Sequence, residues 1–369
     1  MEDLTIGFIG FGLIGGSIAR ALKTKHKKVR LVAYNYYKTK PNRHLETALS
    51  DGNLDCIVTN LADEFPSCDI IFLCAPVLRN IEYLKELKPV IKSTCILTDV
   101  GSVKGNIHKT VCELNLESHF IGGHPMAGTE KTNYENSYAA LMENAYYVLT
   151  PCAETSSALI NRMTSLVETI GAIPVVLDAT YHDDIVSAIS HVPHIISASL
   201  VNLVREQDDA NETMRQLAAG GFKDITRISS SSPIMWQNIC LTNATSILKF
   251  LHLYIDQLQQ MEHYISEKDE NAILSFFQYA KNYRDSIPNK SIGLIKKRYE
   301  LYVDLLDEEG AIATVATLLA TNHISIKNIG IIHNREFENG VLHLELYTED
   351  GALRAASILK THNYRIYER

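Results

Sequence analysis

At 369 residues the chain is long for a single domain and suits two or three, each able to bury its own core. Its 35 basic and 43 acidic side chains give a net charge of -8, which offers no electrostatic footprint for nucleic acid or an anionic membrane surface. No uninterrupted apolar run reaches the roughly 18 residues of a membrane span, and the N-terminus runs directly into a strand pattern, so a soluble, cytoplasmic protein is expected, its seven cysteines reduced and free of any C-x-x-C pair.

Residues 5–21 read TIGFIGFGLIGGSIARA. The first five form a short apolar run of the kind a strand buried on both faces shows, and from Ser17 the spacing turns helical. Between them lies a G-x-G-x-x-G turn. Gly10 permits the tight turn, Gly12 lets backbone approach a pyrophosphate, and Gly15 lets helix pack on strand. Leu13 and Ile14 open the helix, whose first N–H groups would face the phosphates.

Short runs rich in Val, Ile, Leu or aromatics recur at 29–34, 70–74, 96–99, 120–123, 146–149 and 175–177, with helical or turn sequence between them. This alternation predicts an α/β fold with a doubly wound, Rossmann-type parallel sheet forming a dinucleotide-binding domain over 1–178. Cofactor choice falls to the residue closing the second strand, where an acid about 20 positions past the glycines would hold the ribose hydroxyls. Here it is Asn35, followed by Lys38, Lys40 and Arg43. An amide bonds a hydroxyl without repelling a 2′-phosphate, so NAD is favoured and NADP is not excluded; the cations equally suit a solvated loop.

Ligands of open parallel sheets bind beyond the carboxyl ends of the strands. Those positions hold Ala75-Pro76, Gly101-Ser102-Val103-Lys104 and the run His124 to Glu130. His124 follows directly on a strand and is held by Pro125 with small residues beside it; a neutral imidazole there suits proton transfer, although a lone histidine also serves as a structural hydrogen-bonder.

From Ala179 the pattern becomes helical, giving an all-helical domain over 179–285. In the helix predicted over 181–205, Asp183, Ser187, Ser190, His194 and Ser197 form a narrow polar stripe on an otherwise apolar surface, facing a partner network or a ligand cavity. His191 and His194 flank Pro193 with no third ligand placed by sequence, so no metal site is expected. In the run 219–227, the pair Gly220-Gly221 precedes Lys223 and Arg227, two cations one helical turn apart. They suit an anionic substrate, or salt bridges to Asp183, Asp224 or Glu212. Trp236 is the only tryptophan, and the apolar excess over 247–258 exceeds one stripe, so a second subunit is expected to cover part of it. A polar linker over 286–297 contains Pro288-Asn289, and 298–369 reads as a βαββαβ module with Gly310 before its first helix.

Five segments carry a resemblance: GLIGGS at 12–17, DVGSVK at 99–104, GGHPMAGTE at 122–130, SHVPH at 190–194 and FKDITR at 222–227. Over about 5–285 the chain resembles the prephenate dehydrogenase family, and its tail resembles an ACT regulatory domain as in the Bacillus-type enzymes. The resemblance implies oxidative decarboxylation of prephenate to 4-hydroxyphenylpyruvate in tyrosine biosynthesis, with hydride passing from ring C4 to NAD. By position, His124 resembles the group that deprotonates the 4-hydroxyl, Ser102 another group near that hydroxyl, and Arg227 the carboxylate grip. His194, Lys223, Asp224, Gly220, Glu130 and Trp236 match residues lining or closing the family's pocket, and Ser190 of the polar stripe joins them as a substrate-binding candidate. It further implies a homodimer, with tyrosine as effector at the ACT-like domain.

Three alternatives stay open. Arogenate dehydrogenase differs only in an amine for the keto group. A β-hydroxyacid dehydrogenase would need a catalytic lysine on the first helix after the sheet, and 181–204 contains none. A non-catalytic amino-acid sensor would have no need of the His124, Ser102 and Arg227 set.

Overall fold

The structure, a computed structural model, describes residues 4–25, 28–35, 42–128, 131–287, 299–305, 308–332 and 341–367. The chain divides into two compact units, 1–287 and 288–369. The expected linker falls almost wholly outside the described residues.

In the first unit, β1 (Leu4–Ile9), β2 (Val29–Tyr34), β3 (Cys56–Ile57), β4 (Ile70–Leu73) and β5 (Ile96–Asp99) form a parallel sheet of order β3-β2-β1-β4-β5. Successive side chains of a strand point to opposite faces, and here both faces are apolar. Ile6, Phe8, Leu31, Ala33, Ile70 and Phe72 enter one core, while Ile9, Val32, Ile71 and Leu73 enter the other. Covering both faces is what a parallel sheet requires, and it explains strands that read as continuous apolar runs. Phe8 stacks on Phe72 with ring centroids 5.3 Å apart at the centre of the first core.

Beyond β5 come β6 (Ile121–Pro125), β7 (Tyr146–Pro151) and β8 (Ile173–Val176), joined to β5 through a parallel bridge between Leu97 and Phe120. Here one expectation is corrected: β7 runs antiparallel to β6, and β8, parallel to β7, keeps that reversed direction. The described part of the β6–β7 connection holds only the short 3₁₀ turns Tyr134–Asn136 and Ala139–Leu141, and a parallel return would need a crossover helix. Those turns instead lie on helix Leu13–Lys25, where Tyr134 stacks on Phe11 and the Tyr138 N–H donates to Ser17 Oγ over 3.2 Å. The antiparallel pairing also lengthens β6, so His124 pairs with Val148 inside the strand rather than following it.

Asp178 caps the next helix by accepting from the N–H groups of Thr180 and Tyr181, and the chain becomes helical. Ala179–Val186 runs into a π turn, Ser187–His191, and then Val192–Gln207. The slip precedes Pro193, which has no N–H for the ladder. By length and composition Ala179–Gln207 could cross a membrane, yet its buried His182, Asp183, Ser187, His191 and Ser197 are all hydrogen-bonded within the unit, as in an interior helix. Helices Gly220–Thr226, Pro233–Thr242, Ala244–Ser266 and Glu270–Ser286 follow.

The second unit is an antiparallel sheet of order β10-β11-β9-β12, from β9 (Tyr299–Asp304), β10 (Ile326–Ile332), β11 (Val341–Leu346) and β12 (Ile366–Tyr367). Helices Ala311–Thr321 and Glu349–Thr361 complete the βαββαβ order. Leu301, Val303, Leu342 and Leu344 pack with Val315, Leu319 and Leu359 of these helices, forming a separate core. Gly310, with φ of +87°, takes the left-handed conformation before the first of them.

Candidate functional site

The carboxyl ends of β1, β2, β4 and β5 open on one side of the sheet. At Gly10 φ is +85°, and a Cβ there would lie 2.6 Å from the Ala75 nitrogen, so only glycine lets the β1 turn pass the end of β4. Gly12 differs: a Cβ on it would meet nothing within 4 Å, leaving open space before helix Leu13–Lys25. No acid stands in the first turn of that helix, and its leading N–H groups have no acceptor within the helix. Glycine face, helix start and open space together fit a pyrophosphate. The Phe11 N–H donates to Asn35 Oδ1 over 2.6 Å, tying the end of β2 to the glycine turn. Ala75-Pro76 is held by Asn80, whose Oδ1 accepts from the Ala75 N–H and whose Nδ2 donates to Leu73 O.

Between the β5 and β6 ends and the helical layer lies a cavity of about 490 Å³. Ser102 and His124 line it from the sheet side, and Ser190, His194, Arg227 and Trp236 from the helices. A second cavity of about 310 Å³, lined by Ala75, Pro76, Val77 and Gly101, shares Ser102, Ser232, Met235 and Ile239 with the first. The nucleotide side and the first cavity thus adjoin across Ser102.

His124 Nδ1 lies 2.8 Å from His182 Nε2, and His182 Nδ1 lies 2.8 Å from Asp183 Oδ1. Asp183 also accepts from the backbone N–H groups of Lys104 and Gly105, each at 2.8 Å. Lys104, fully buried, donates to Asp99 and to Gly123 O, clamping β5 to β6 just below His124. His194 is stacked on Trp236 with centroids 3.9 Å apart, and its Nδ1 donates to Ser190 O over 2.9 Å. The Trp236 indole N–H is buried without a partner among the described residues.

Burial is the main cause that holds the His124 imidazole well below the usual histidine range, reinforced by His182, Lys104 and His191. Burial likewise pushes His191 down to about 4 and lowers His194, to which Arg227 adds. These rings are neutral at pH 7, and a neutral imidazole in a partly apolar cavity can accept a proton.

Ser102, His124, Ser190, His194, Arg227 and Trp236 therefore share one cavity. Gly220, Lys223 and Asp224 do not line it within this chain; all three are exposed on helix Gly220–Thr226. Arg227, the C-cap of that helix and the first residue of the 3₁₀ turn Arg227–Ser230, does line the cavity. Glu130, Lys38 and Lys40 lie outside the described residues. The polar stripe splits: Ser190 and His194 reach the cavity, while Asp183, Ser187 and Ser197 enter buried networks with Lys104, Asn243 and Ser229. Sequence reasoning missed His182, Asn80 and Asn243. His182 carried one signal, a histidine beside a polar stripe on an otherwise apolar helix, which needs a partner.

The family model for the prephenate dehydrogenase nucleotide-binding domain matches residues 18–176, and that for the prephenate dehydrogenase dimerization domain matches 178–279. The prephenate dehydrogenase of Bacillus subtilis is 34% identical over 98% of this chain and 96% of its own length. Among solved structures, prephenate dehydrogenase from A. aeolicus in complex with hydroxyphenyl propionate and NAD+ matches with a TM-score of 0.72 and 28% identity, over 78% of this chain and 99% of that one. Synechocystis arogenate dehydrogenase matches with a TM-score of 0.69 and 30% identity, over 77% of this chain and all of its own.

Proposed function

The chain belongs to the prephenate dehydrogenase family, and from that membership we infer how its cavity works. It is an NAD-dependent oxidoreductase that converts prephenate to 4-hydroxyphenylpyruvate on the route to tyrosine. NAD, when bound along the glycine turn, supplies the hydride acceptor. His124 Nε2 takes the proton of the 4-hydroxyl, which raises electron density at C4 and favours hydride departure. The ring carboxylate leaves as CO2, its bonding pair makes the ring aromatic, and the proton held on His124 returns to the phenol oxygen. Two charges on the substrate become one charge on the product, and no net proton is taken up or released.

Arg227 grips a substrate carboxylate, Ser102 bonds near the hydroxyl, and the stacked pair of His194 and Trp236 forms a wall beside the ring. We assign Gly220, Lys223, Asp224 and Glu130 to closing the site, the first three from their exposed positions on helix Gly220–Thr226. The observation carrying this reading is that His124 and Arg227, from the sheet and the helical layer, line the same cavity, and that this cavity adjoins the nucleotide side. Incubation with prephenate and each nicotinamide cofactor, following absorbance of the reduced form, tests it. Likeness to the Synechocystis enzyme favours arogenate as the second reading, and kcat/KM for both substrates decides between them.

We divide the chain into dinucleotide-binding (1–178), substrate and dimerisation (179–285) and regulatory (298–369) parts, joined by the 286–297 linker, in a cytoplasmic homodimer. The exposed Leu253, Leu258, Leu274 and Phe277 support pairing through the helices. The βαββαβ order supports an ACT-like unit, with tyrosine as its effector. Initial rates with added tyrosine, with and without residues 298–369, test this; equal inhibition of both would put the effect at the active site.

A further inference from the structure

The hydrogen-bond chain behind His124 has a direction that one fixed charge determines. Asp183 is 5% exposed and accepts from two backbone N–H groups, those of Lys104 and Gly105, the second of which begins helix Gly105–Glu113. A carboxylate that receives both of those N–H groups has only acceptor oxygens to offer a third partner. His182, 1% exposed and 2.8 Å away, must therefore direct Nδ1–H at Asp183. Its Nε2 then carries the lone pair and accepts from His124 across 2.8 Å.

We propose that His182 and Asp183 are positioning residues that hold His124 in its Nδ1–H tautomer, so that the Nε2 lone pair is the one presented to substrate. This rests on His124 being the base. The proton of the substrate hydroxyl stops at His124 Nε2; His182 and Asp183 gain and lose none. In an unconstrained neutral imidazole the other tautomer is common, and in it Nε2 would carry hydrogen and accept nothing. The relay resembles the carboxylate–histidine pair of hydrolytic triads in logic, with a second imidazole inserted.

The test compares full-length His182→Gln, His182→Asn and His124→Asn with the wild type, using prephenate and NAD+. Glutamine keeps an acceptor where Nε2 stood; asparagine reaches only as far as Nδ1. The expected result for His182→Asn is a kcat loss of about 10- to 100-fold with little change in KM for prephenate, and for His182→Gln recovery of most of that loss. Wild-type turnover in His182→Asn, or equal loss in both His182 variants, overturns the relay. If His124→Asn itself keeps turnover, the base assignment fails first. Nitrogen-15 spectra of histidine-labelled wild type, with His124 assigned by its absence from His124→Asn, decide the tautomer without relying on the folding of any His182 variant. Hydrogen on Nδ1 is expected; hydrogen on Nε2 overturns the proposal.

Discussion

Helix Leu13–Lys25, packed on the sheet, buries seven of its residues, whereas helix Glu270–Ser286 in the helical half buries none. The sheet half is closed by its own side chains: Ile6, Phe8, Leu31 and Phe72 are at most 1% exposed. The helical half leaves Leu253, Leu274 and Phe277 more than half exposed. One half folds around itself and holds a cofactor with backbone geometry, which needs no partner. The other supplies Ser190, His194, Arg227 and Trp236 from a helical layer that leaves apolar side chains on its outer face.

Truncation should separate the halves most sharply. Phe8→Ala removes a ring stacked at the core centre and should cost about 3–5 kcal/mol in urea unfolding. Phe277→Ala should leave protomer stability within about 0.5 kcal/mol while weakening the proposed dimer in sedimentation. Equal costs would erase the distinction.

Acid should act through the boundary between the halves. The folded pKa of His191, about 4, lies below the unfolded value near 6.5. Its contribution is therefore complete above pH 6.5 and is lost as pH falls towards 4, an effect on the order of 3 kcal/mol for a fully buried ring. His191→Gln should flatten unfolding stability across that window relative to wild type. An unchanged slope would show that the ring is not kept neutral.

The two catalytic faces should fail differently. His124→Asn should lower kcat by about two orders or more with a modest change in KM, and Arg227→Ala should mainly raise KM. An unchanged KM in Arg227→Ala would remove it from the substrate site.

The smallest effect belongs to the sheet half. Because Asn35 Oδ1 already accepts from Phe11 N–H, its Nδ2 donors remain for the ribose side. Asn35→Asp would add an anion there and should raise the NAD-over-NADP ratio of kcat/KM about tenfold, or roughly 1.4 kcal/mol. A lowered ratio would contradict this geometry.

The same division explains what the sequence made legible. Strands buried on both faces read as apolar runs, and Gly10, Gly12 and Gly15 announce their turn because local backbone geometry dictates them. The βαββαβ order of the second unit was readable for the same reason. The reversal at β7 was not, since it depends on where Tyr134 and Tyr138 pack rather than on the strand itself. Ser102, His124 and Arg227 were found through their neighbours in sequence. His182 was not, because its partners are 58 residues away at His124 and adjacent at Asp183, a pairing that no spacing rule encodes. Lys223 is exposed on helix Gly220–Thr226, while Arg227, one turn on, lines the cavity, a difference that helical spacing alone does not carry.

A crystal structure with NAD+ and 4-hydroxyphenylpyruvate bound would test the central assignment directly. The phenol oxygen should sit within about 3 Å of His124 Nε2, with the side-chain carboxylate on Arg227. A ring turned so that its oxygen faces away from His124, or a product held outside the cavity that the two halves share, would contradict it.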